Sequence, residues 1–469
     1  MAATPTRTAP TIAALGLAVL CVSQFVDVLS VNTAVIALPD IRADLAMSAA
    51  AAQWVISVYA LLFGSLLLFA GRLADRVGHR RLFTAGLAAF AVGSLLCGLA
   101  SNGSTLVAAR AATGAAAAFT VPAALALLVA GTDGAGRRRA LGWWTAAGAG
   151  GGVAGLALGG VLTDVAGWRA AFIVPAVLAA VWLPFVRSLG PADTAVGERP
   201  LDLAGTVAAA SGLVLLLAAL SAIGGAGSGP AAWGALAAAV VALAAFGFIE
   251  ARARWPLLPR GLVHDRPLLA GTLASALNTA ATSPFAVLGA IYLQDVRGWS
   301  PAANGLSFVP FSVMVIVGSA LGAAMLGRLG PARTLSAATA VLVAMPLLSC
   351  AISADGGEAL LIAARALDGL GLGCAAVTAT ALGTSTAQHD DHGFAAGLIN
   401  TATQLGTAIS IALLVPLAAA LAGDMPSGAD TVSGVRVGFA VAAGIALAGG
   451  AATLAILRRP RGVMDAGSP

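Results

Sequence analysis

The sequence predicts an all-α integral membrane protein: fourteen transmembrane helices, in two pseudo-symmetric six-helix halves with two helices inserted between them. Three observations lead there. The 469 residues are 59% hydrophobic and the mean hydropathy is +0.94; a soluble domain of this size has no way to hide that much apolar surface, so its natural solvent is lipid. Apolar runs of about 20 residues, the length that crosses a bilayer core, recur from end to end. The 25 basic residues, all of them Arg, gather in alternate connections between the runs, as they do when one face of the membrane is cytoplasmic.

In order, the runs span 12–38, 52–70, 82–100, 104–130, 140–163, 168–188, 203–222, 231–250, 268–293, 304–326, 335–353, 359–383, 393–421 and 436–457. The first follows Arg7 and faintly imitates a signal peptide. Its apolar stretch from Thr11 to Leu38 is too long for one, and similar runs follow it, so it reads as a span. With the N-terminus inside, nineteen arginines fall in the inner segments, among them Arg137, Arg138 and Arg139. Four fall outside, at Arg42, Arg169, Arg297 and Arg436; Arg110 and Arg365 stay within spans. This bias predicts both termini on the cytoplasmic side of a bacterial plasma membrane. The absence of Lys and the 58 Gly point to a GC-rich genome rather than to chemistry.

The chain also repeats itself. Asp40 and Arg42 recur as Asp295 and Arg297, and Arg110 recurs as Arg365, each 255 residues on; Gly71-Arg72-Leu73 recurs as Gly327-Arg328-Leu329, 256 residues on. One offset found three times predicts two homologous halves, 11–188 and 266–457, with 203–250 as inserted linker helices. Parallel repeats of this kind place a substrate site near the bilayer midplane.

The net charge of +5 and pI near 9.7 do not mark a nucleic-acid binder, because the charges are split among short loops and form no continuous basic face. Cys21, Cys97, Cys350 and Cys374 lie in apolar runs without paired spacing and read as small buried residues. There is no P-loop, no H-E-x-x-H, no G-x-S-x-G and no paired-cysteine motif, which argues against an ATP-driven pump or a hydrolase. Ser385 to His392, S-T-A-Q-H-D-D-H, reads as a solvated loop before a helix start rather than a metal site.

The densest charge lies at 71–81, G-R-L-A-D-R-V-G-H-R-R, between two apolar runs. Arg72, Asp75, Arg76, Arg80 and Arg81 fall within eleven residues. Gly71 and Gly78 are expected to turn the chain at either end, and Asp75 to accept hydrogen bonds from a helix N-terminus. Ionisable groups inside spans carry the functional expectations, since their burial is costly. Asp27 lies about 18 Å from Pro39 along the first span, at 1.5 Å per residue. A carboxyl that changes protonation state is what a proton-coupled carrier needs; the alternative is packing glue between helix backbones. Arg110 lies about 10 Å below the outer end of the fourth span by the same rise. Its guanidinium stays charged, so it can bias a nearby carboxyl or simply lock two helices. Arg365 and Asp368, at i and i+3, share a face and are expected to neutralise each other. Gly151, Gly155 and Gly159, with Gly160 beside them, form a stripe that lets helix backbones approach closely in lipid. Asn278, Asn400 and Gln404, with Gln53, Trp54 and Tyr59, are candidates to line a polar cavity; interhelical hydrogen bonding accounts for the amides equally well.

The 71–81 island resembles the loop signature between helices 2 and 3 of the major facilitator superfamily. A-A-R-A-A-T-G around Arg110 is similar to the family's helix 4 motif, whose Arg is implicated in proton coupling. Gly151 to Gly160 resembles the antiporter signature G-x-x-x-G-P-x-x-G-G of drug exporters, with Leu156 where the proline stands. Ala37-Leu38-Pro39, Gln53-Trp54, Gly298 to Leu306 and Asn400 to Gly406 are similar to the fourteen-helix drug:proton antiporter branch. That branch commonly carries an acid where this chain has Ser30, and Asp27 lies three residues earlier on nearly the same helix face.

The resemblance implies proton-driven export of an amphipathic drug or antibiotic by alternating access, in multidrug or antibiotic efflux. Asp27 and Arg110 would couple the proton, and the island would latch the cytoplasmic ends. It implies no enzyme activity, no cofactor beyond the proton gradient, no metal, and a single chain as the working unit. Its partners would be the small amphipathic substrate, protons and the lipid bilayer. A proton-coupled uptake symporter would share the fold and most motifs. A non-transporting membrane sensor or scaffold is kept open by the missing proline and the displaced acid.

Overall fold

The computed structural model describes residues 14–132, 134–189, 203–224, 229–253, 265–383, 385, 392–423 and 428–458. Among these residues no strand occurs, and twelve helices are long and apolar enough to cross a membrane. Two facts raise the number to fourteen. The helix Val309–Ser349 is two spans joined across Gly330, whose φ of 77° breaks the helical path. The helix Trp54–Val77 carries a shorter apolar stretch, Trp54–Leu67, and runs on with charged residues.

The helices are α1 (Ala14–Asp44), α2 (Trp54–Val77), α3 (His79–Gly98), α4 (Gly103–Ala130), α5 (Gly134–Ala166) and α6 (Ala170–Trp182, continued by a 3-10 segment Leu183–Leu189). Then come α7 (Leu203–Gly224) and α8 (Pro230–Arg252). The last group is α9 (Arg266–Ile291, closed by a π turn Tyr292–Val296), a short helix Pro301–Leu306, α10 (309–329), α11 (331–349), α12 (Glu358–Gly383), α13 (His392–Ala422) and α14 (Gly428–Arg458).

Local chemistry sets the ends. Asn102 caps α4, its Oδ1 accepting from the Thr105 amide at 2.9 Å, and Ser300 caps the short helix through Ala303 N at 3.2 Å, ahead of a proline at the first helical position.

The largest corrections concern the charged island and the tenth and eleventh spans. Residues 71–77 are not loop. They complete α2, so Gly71 sits inside a helix and turns nothing. Gly78 alone separates α2 from α3, at φ 95°, a left-handed value that favours glycine. Leu73 and Ala74 are good helix formers with apolar sides to bury, and long Arg side chains reach water from the helix end, so charge did not end the helix here. The 304–326 span begins instead with the separate short helix.

The helix faces left exposed are apolar, as at Val240, Val241 and Phe248 on α8 and Val313, Ile316 and Leu321 on α10. Apolar surface on this scale is a surface for lipid. Inside, one large apolar cluster lies at the end of the bundle opposite the island. It joins Ala34, Ile41, Val55 and Phe172 of the first six helices to Phe285, Tyr292, Met345 and Phe439 of the last group. Nearer the island, a second cluster, with Phe63, Phe83, Phe90 and Leu128, draws only on the first six. Helices α7 and α8 pack on each other, and α7 lies against α2 and α13, where Leu217 meets Leu61, Ala408 and Ala412.

Candidate functional site

Asp27 is 8% exposed on α1. The Tyr59 hydroxyl, from α2, donates to its Oδ1. The Tyr59 ring lies under Arg110 of α4, with the guanidinium carbon 4.2 Å from the ring centre. Arg110 is fully buried. Its Nε donates to the Val55 carbonyl at 2.9 Å and its Nη1 to Ser30 Oγ at 3.3 Å. So Ser30, at the position where the related branch carries an acid, does meet the arginine, through a hydroxyl. The acid itself is one turn away and reaches Arg110 through the tyrosine, with no ion pair between them. The glycine of A-A-R-A-A-T-G makes this approach possible: a Cβ at Gly114 would lie 2.8 Å from Tyr59 Cα, so only glycine lets α4 seat against α2 there.

Tyr59 serves as a link between two buried groups. It is 1% exposed and joins the acid to the arginine. Its scarcity was a signal in the sequence: the chain has two tyrosines, and the other, Tyr292, is equally committed, donating to the carbonyls of Ser353 and Gly356 at 3.0 and 2.9 Å. Gln53 is also fully buried, accepting from Ser57 Oγ at 2.8 Å. Trp54 packs into the α2–α7–α13 contact. Asn278 borders a cavity of about 20 Å³ within the last group of helices, beside Thr339 and Thr453, rather than one shared with the first six. Asn400 and Gln404 are half-buried on α13; the Gln404 Cβ lies against Gly64 of α2, at a helix crossing.

Arg365, the repeat of Arg110, is also fully buried. It acts on Asp368, one turn along the same helix, through charge and not through contact. No hydrogen bond or ion pair joins them; Arg365 instead donates to Asn304 Oδ1 at 3.0 Å and to Ser307 Oγ, and stacks 3.8 Å above the Phe308 ring. Its partners thus lie on and just after the short helix, where neutral acceptors and an aromatic face suit a planar guanidinium.

The glycine stripe packs α5 along α1. A Cβ at Gly155 would lie 2.8 Å from Leu29 O and one at Gly159 2.9 Å from Thr33 Cα; Gly151 meets the Phe25 carbonyl in the same way. Partners four residues apart on both helices give a regular close crossing. Gly160 faces the other way, onto the Pro301 carbonyl of the short helix. Leu156, in the proline's place, packs with Ile36 and Phe308, and α5 runs unbroken.

Polar contacts add to this junction. Arg42 pairs with Asp295 at 3.4 Å, Gln294 Nε2 donates to the Ile36 carbonyl at 3.2 Å, and the Ala302 amide to Asp164 Oδ2 at 3.4 Å. Arg42 and Asp295 belong to the repeated P-D-I-R and Q-D-V-R segments, so one copy of the repeat grips the other. At the island end, Arg76 and Arg81 are exposed. The side chains of Asp75, Arg137 and Arg138 lie outside the described residues, as do 386–391 of the Ser385–His392 segment.

A bundle of fourteen membrane-crossing helices with buried charge at mid-depth defines a membrane transporter. The sequence matches the family model of the Major Facilitator Superfamily over residues 20–251 and 268–468, and the chain belongs to that superfamily; it is a transporter and not an enzyme. It is 36% identical to the puromycin resistance protein pur8 of Streptomyces alboniger, covering 91% of this chain and 87% of that one. It is 37% identical to the cephamycin export protein CmcT of Amycolatopsis lactamdurans, covering 86% and 84%. Among solved structures, a bacterial homologue of the human lysosomal transporter Spinster, inward-facing and unoccupied, aligns with a TM-score of 0.67 at 14% identity over 94% of this chain and 96% of that one. A peptide transporter, POT, in complex with sulfate aligns with a TM-score of 0.69 at 17% identity over 96% of each chain.

Proposed function

We propose that this chain exports an amphipathic drug or antibiotic out of the cytoplasm in exchange for protons. The observation that carries the proton reading is Asp27, an acid held deep in the first span with a hydroxyl donor and a fixed cation beside it. A carboxyl so placed binds and releases a proton without leaving the protein interior. The direction of transport is supported by relatives named for resistance and export that align along nearly the whole chain.

In this reading the island end, rich in arginine, faces the cytoplasm with both termini, and the packed opposite end is the closed outer gate. Residues 11–188 and 266–457 are the two halves that rock about a central site, and 203–250 is the insert; the repeat offset and the two-segment family match support that division. Gly71, Arg72, Asp75, Arg76, Gly78, Arg80 and Arg81 latch the cytoplasmic ends when the outer gate opens. The proton gradient is the energy source, and one chain holds both halves, so a monomer suffices.

The test is puromycin accumulation in everted vesicles under an imposed pH gradient. Asp27→Asn keeps shape and hydrogen bonding but cannot cycle a proton, so uphill accumulation should be lost, with downhill exchange retained. Wild-type accumulation by Asp27→Asn places proton coupling elsewhere.

A further inference from the structure

The second group of helices holds a buried acid of its own. Asp368 on α12 is 3% exposed. Its Oδ1 is buried without a hydrogen-bond partner, and among the described residues no donor or ion pair reaches the carboxylate. The one cation on its face, Arg365, is committed to Asn304 and Ser307. The elements packed against α12 are α9, α10, α11 and α13. Their arginines are Arg266 on α9, Arg328 on α10 and Arg333 on α11, all at helix ends; α13 opens at His392. The other titratable residues of α12 itself are Glu358, paired with Arg297 at 2.6 Å, and Cys374. Nothing titratable at mid-depth therefore serves Asp368 except Arg365.

An ionised carboxylate in such surroundings needs a counter-charge or several donors. Asp368 has no donor, and its one nearby cation, a helical turn away, is held by other acceptors, so what completes it is a proton. The repeat sharpens the point. At an offset of 255 residues, Asp368 corresponds to Thr113, which simply donates to its own helix at Ala109 O, 2.7 Å, and Asp27 corresponds to Thr282. Each half carries one deep acid next to the equivalent arginine, on different helices.

We propose that Asp368 is a second proton-binding site, filled while the end of the bundle opposite the island is open and still occupied when that end has closed. This rests on the proton-driven reading above for its role in transport, but not for the binding itself. The proton comes from water at the outer face, forms an O–H bond on the carboxylate, and leaves to water at the island end. Its departure leaves a bare carboxylate one helical turn from Arg365, whose Nε has no partner. The guanidinium is then drawn off Asn304 and Ser307, and the short helix that seals against Gly160 loosens.

The measurement is infrared absorption of the full chain in lipid nanodiscs at neutral pH, reading the carbonyl stretch of protonated carboxylic acids. Asp368→Asn should delete one component that Asp27→Asn leaves in place, and Asp368→Glu, a milder change if the Asn variant folds poorly, should displace it. A carbonyl region identical in wild type, Asp368→Asn and Asp368→Glu overturns the proposal. Puromycin export driven by a pH gradient reads the other claim separately: its absence with the Asp368 component intact removes proton-driven export and leaves the proton site standing.

Discussion

Three buried side chains of the first six helices touch in a row, Asp27 to Tyr59 to Arg110. Asp27 alone in a span would be a costly group; Tyr59 gives it a donor, and Arg110 supplies a charge that does not titrate. Val55 O and Ser30 Oγ hold that guanidinium in place. The ring of Tyr59 both accepts the cation on its face and carries the hydroxyl, so its two functions separate by mutation. Tyr59→Phe keeps the ring beneath Arg110 and removes only the donor. A hydrogen bond to a charged group contributes about 1.5–3 kcal/mol, so the proton-driven accumulation proposed above should fall about tenfold or more, while folded protein in the membrane stays at the wild-type level. Unchanged export by Tyr59→Phe would show that Asp27 works without its donor.

At the level of helices, glycine spacing decides which pairs come close. The α1–α5 crossing rests on Gly151, Gly155 and Gly159, and overpacking such a contact costs about 1–3 kcal/mol. Gly155→Val should therefore lower the thermal midpoint of the purified chain measurably, because its side chain would press on Leu29 and Asn32. The same change at Gly142, where a Cβ meets nothing within 4 Å, should leave the midpoint within error; equal effects at the two sites would refute the close-packing role. The end of α2 bears a different expectation. Asp75 lies in its last turns, next to the single hinge residue Gly78, and membrane insertion depends on the apolar stretch before it. Asp75→Asn should reach the membrane in normal amount and export poorly; full export at normal expression would rule out the latch.

At the level of the whole molecule, the first six helices and the last group join at the end opposite the island. Arg42–Asp295, Gln294 on the Ile36 carbonyl, and Gly160 on Pro301 close it, together with the large shared apolar cluster. An exposed ion pair contributes only about 0–1 kcal/mol, so the apolar contacts and close backbones carry the closure, and the polar ones set its register. Which end this is can be measured. In a chain with the four native cysteines replaced, Ser101→Cys, in the connection before α4, should react with a membrane-impermeant maleimide in intact cells. Val77→Cys, at the end of α2, should react only after permeabilisation. Reaction of both in intact cells would break the proposed orientation and helix count.

Much of this was legible in the sequence because a bilayer imposes one-dimensional rules. A span must be apolar over a fixed length, and its flanking arginines sort by side, so composition and periodicity sufficed for fourteen helices. The cost of buried charge singled out Asp27, Arg110, Arg365 and Asp368, and small-residue spacing singled out the α5 stripe. Partner choice is three-dimensional and was not legible. Spacing on one helix joined Arg365 to Asp368, but the acceptors at Asn304 and Ser307 lie some sixty residues away and become neighbours only when the short helix packs on α5 within reach of the arginine. The contacts of Tyr59 were not legible because its sequence neighbours say nothing of Gly114, whose missing side chain brings α4 onto its backbone. The 71–77 segment read as a loop because charge density marks the membrane face and not the end of hydrogen bonding. The sequence by itself determined which residues are in the membrane and which burials are costly. Only the tertiary structure decided which of those costly groups have partners, because a helix specifies its own face and leaves open what lies opposite it.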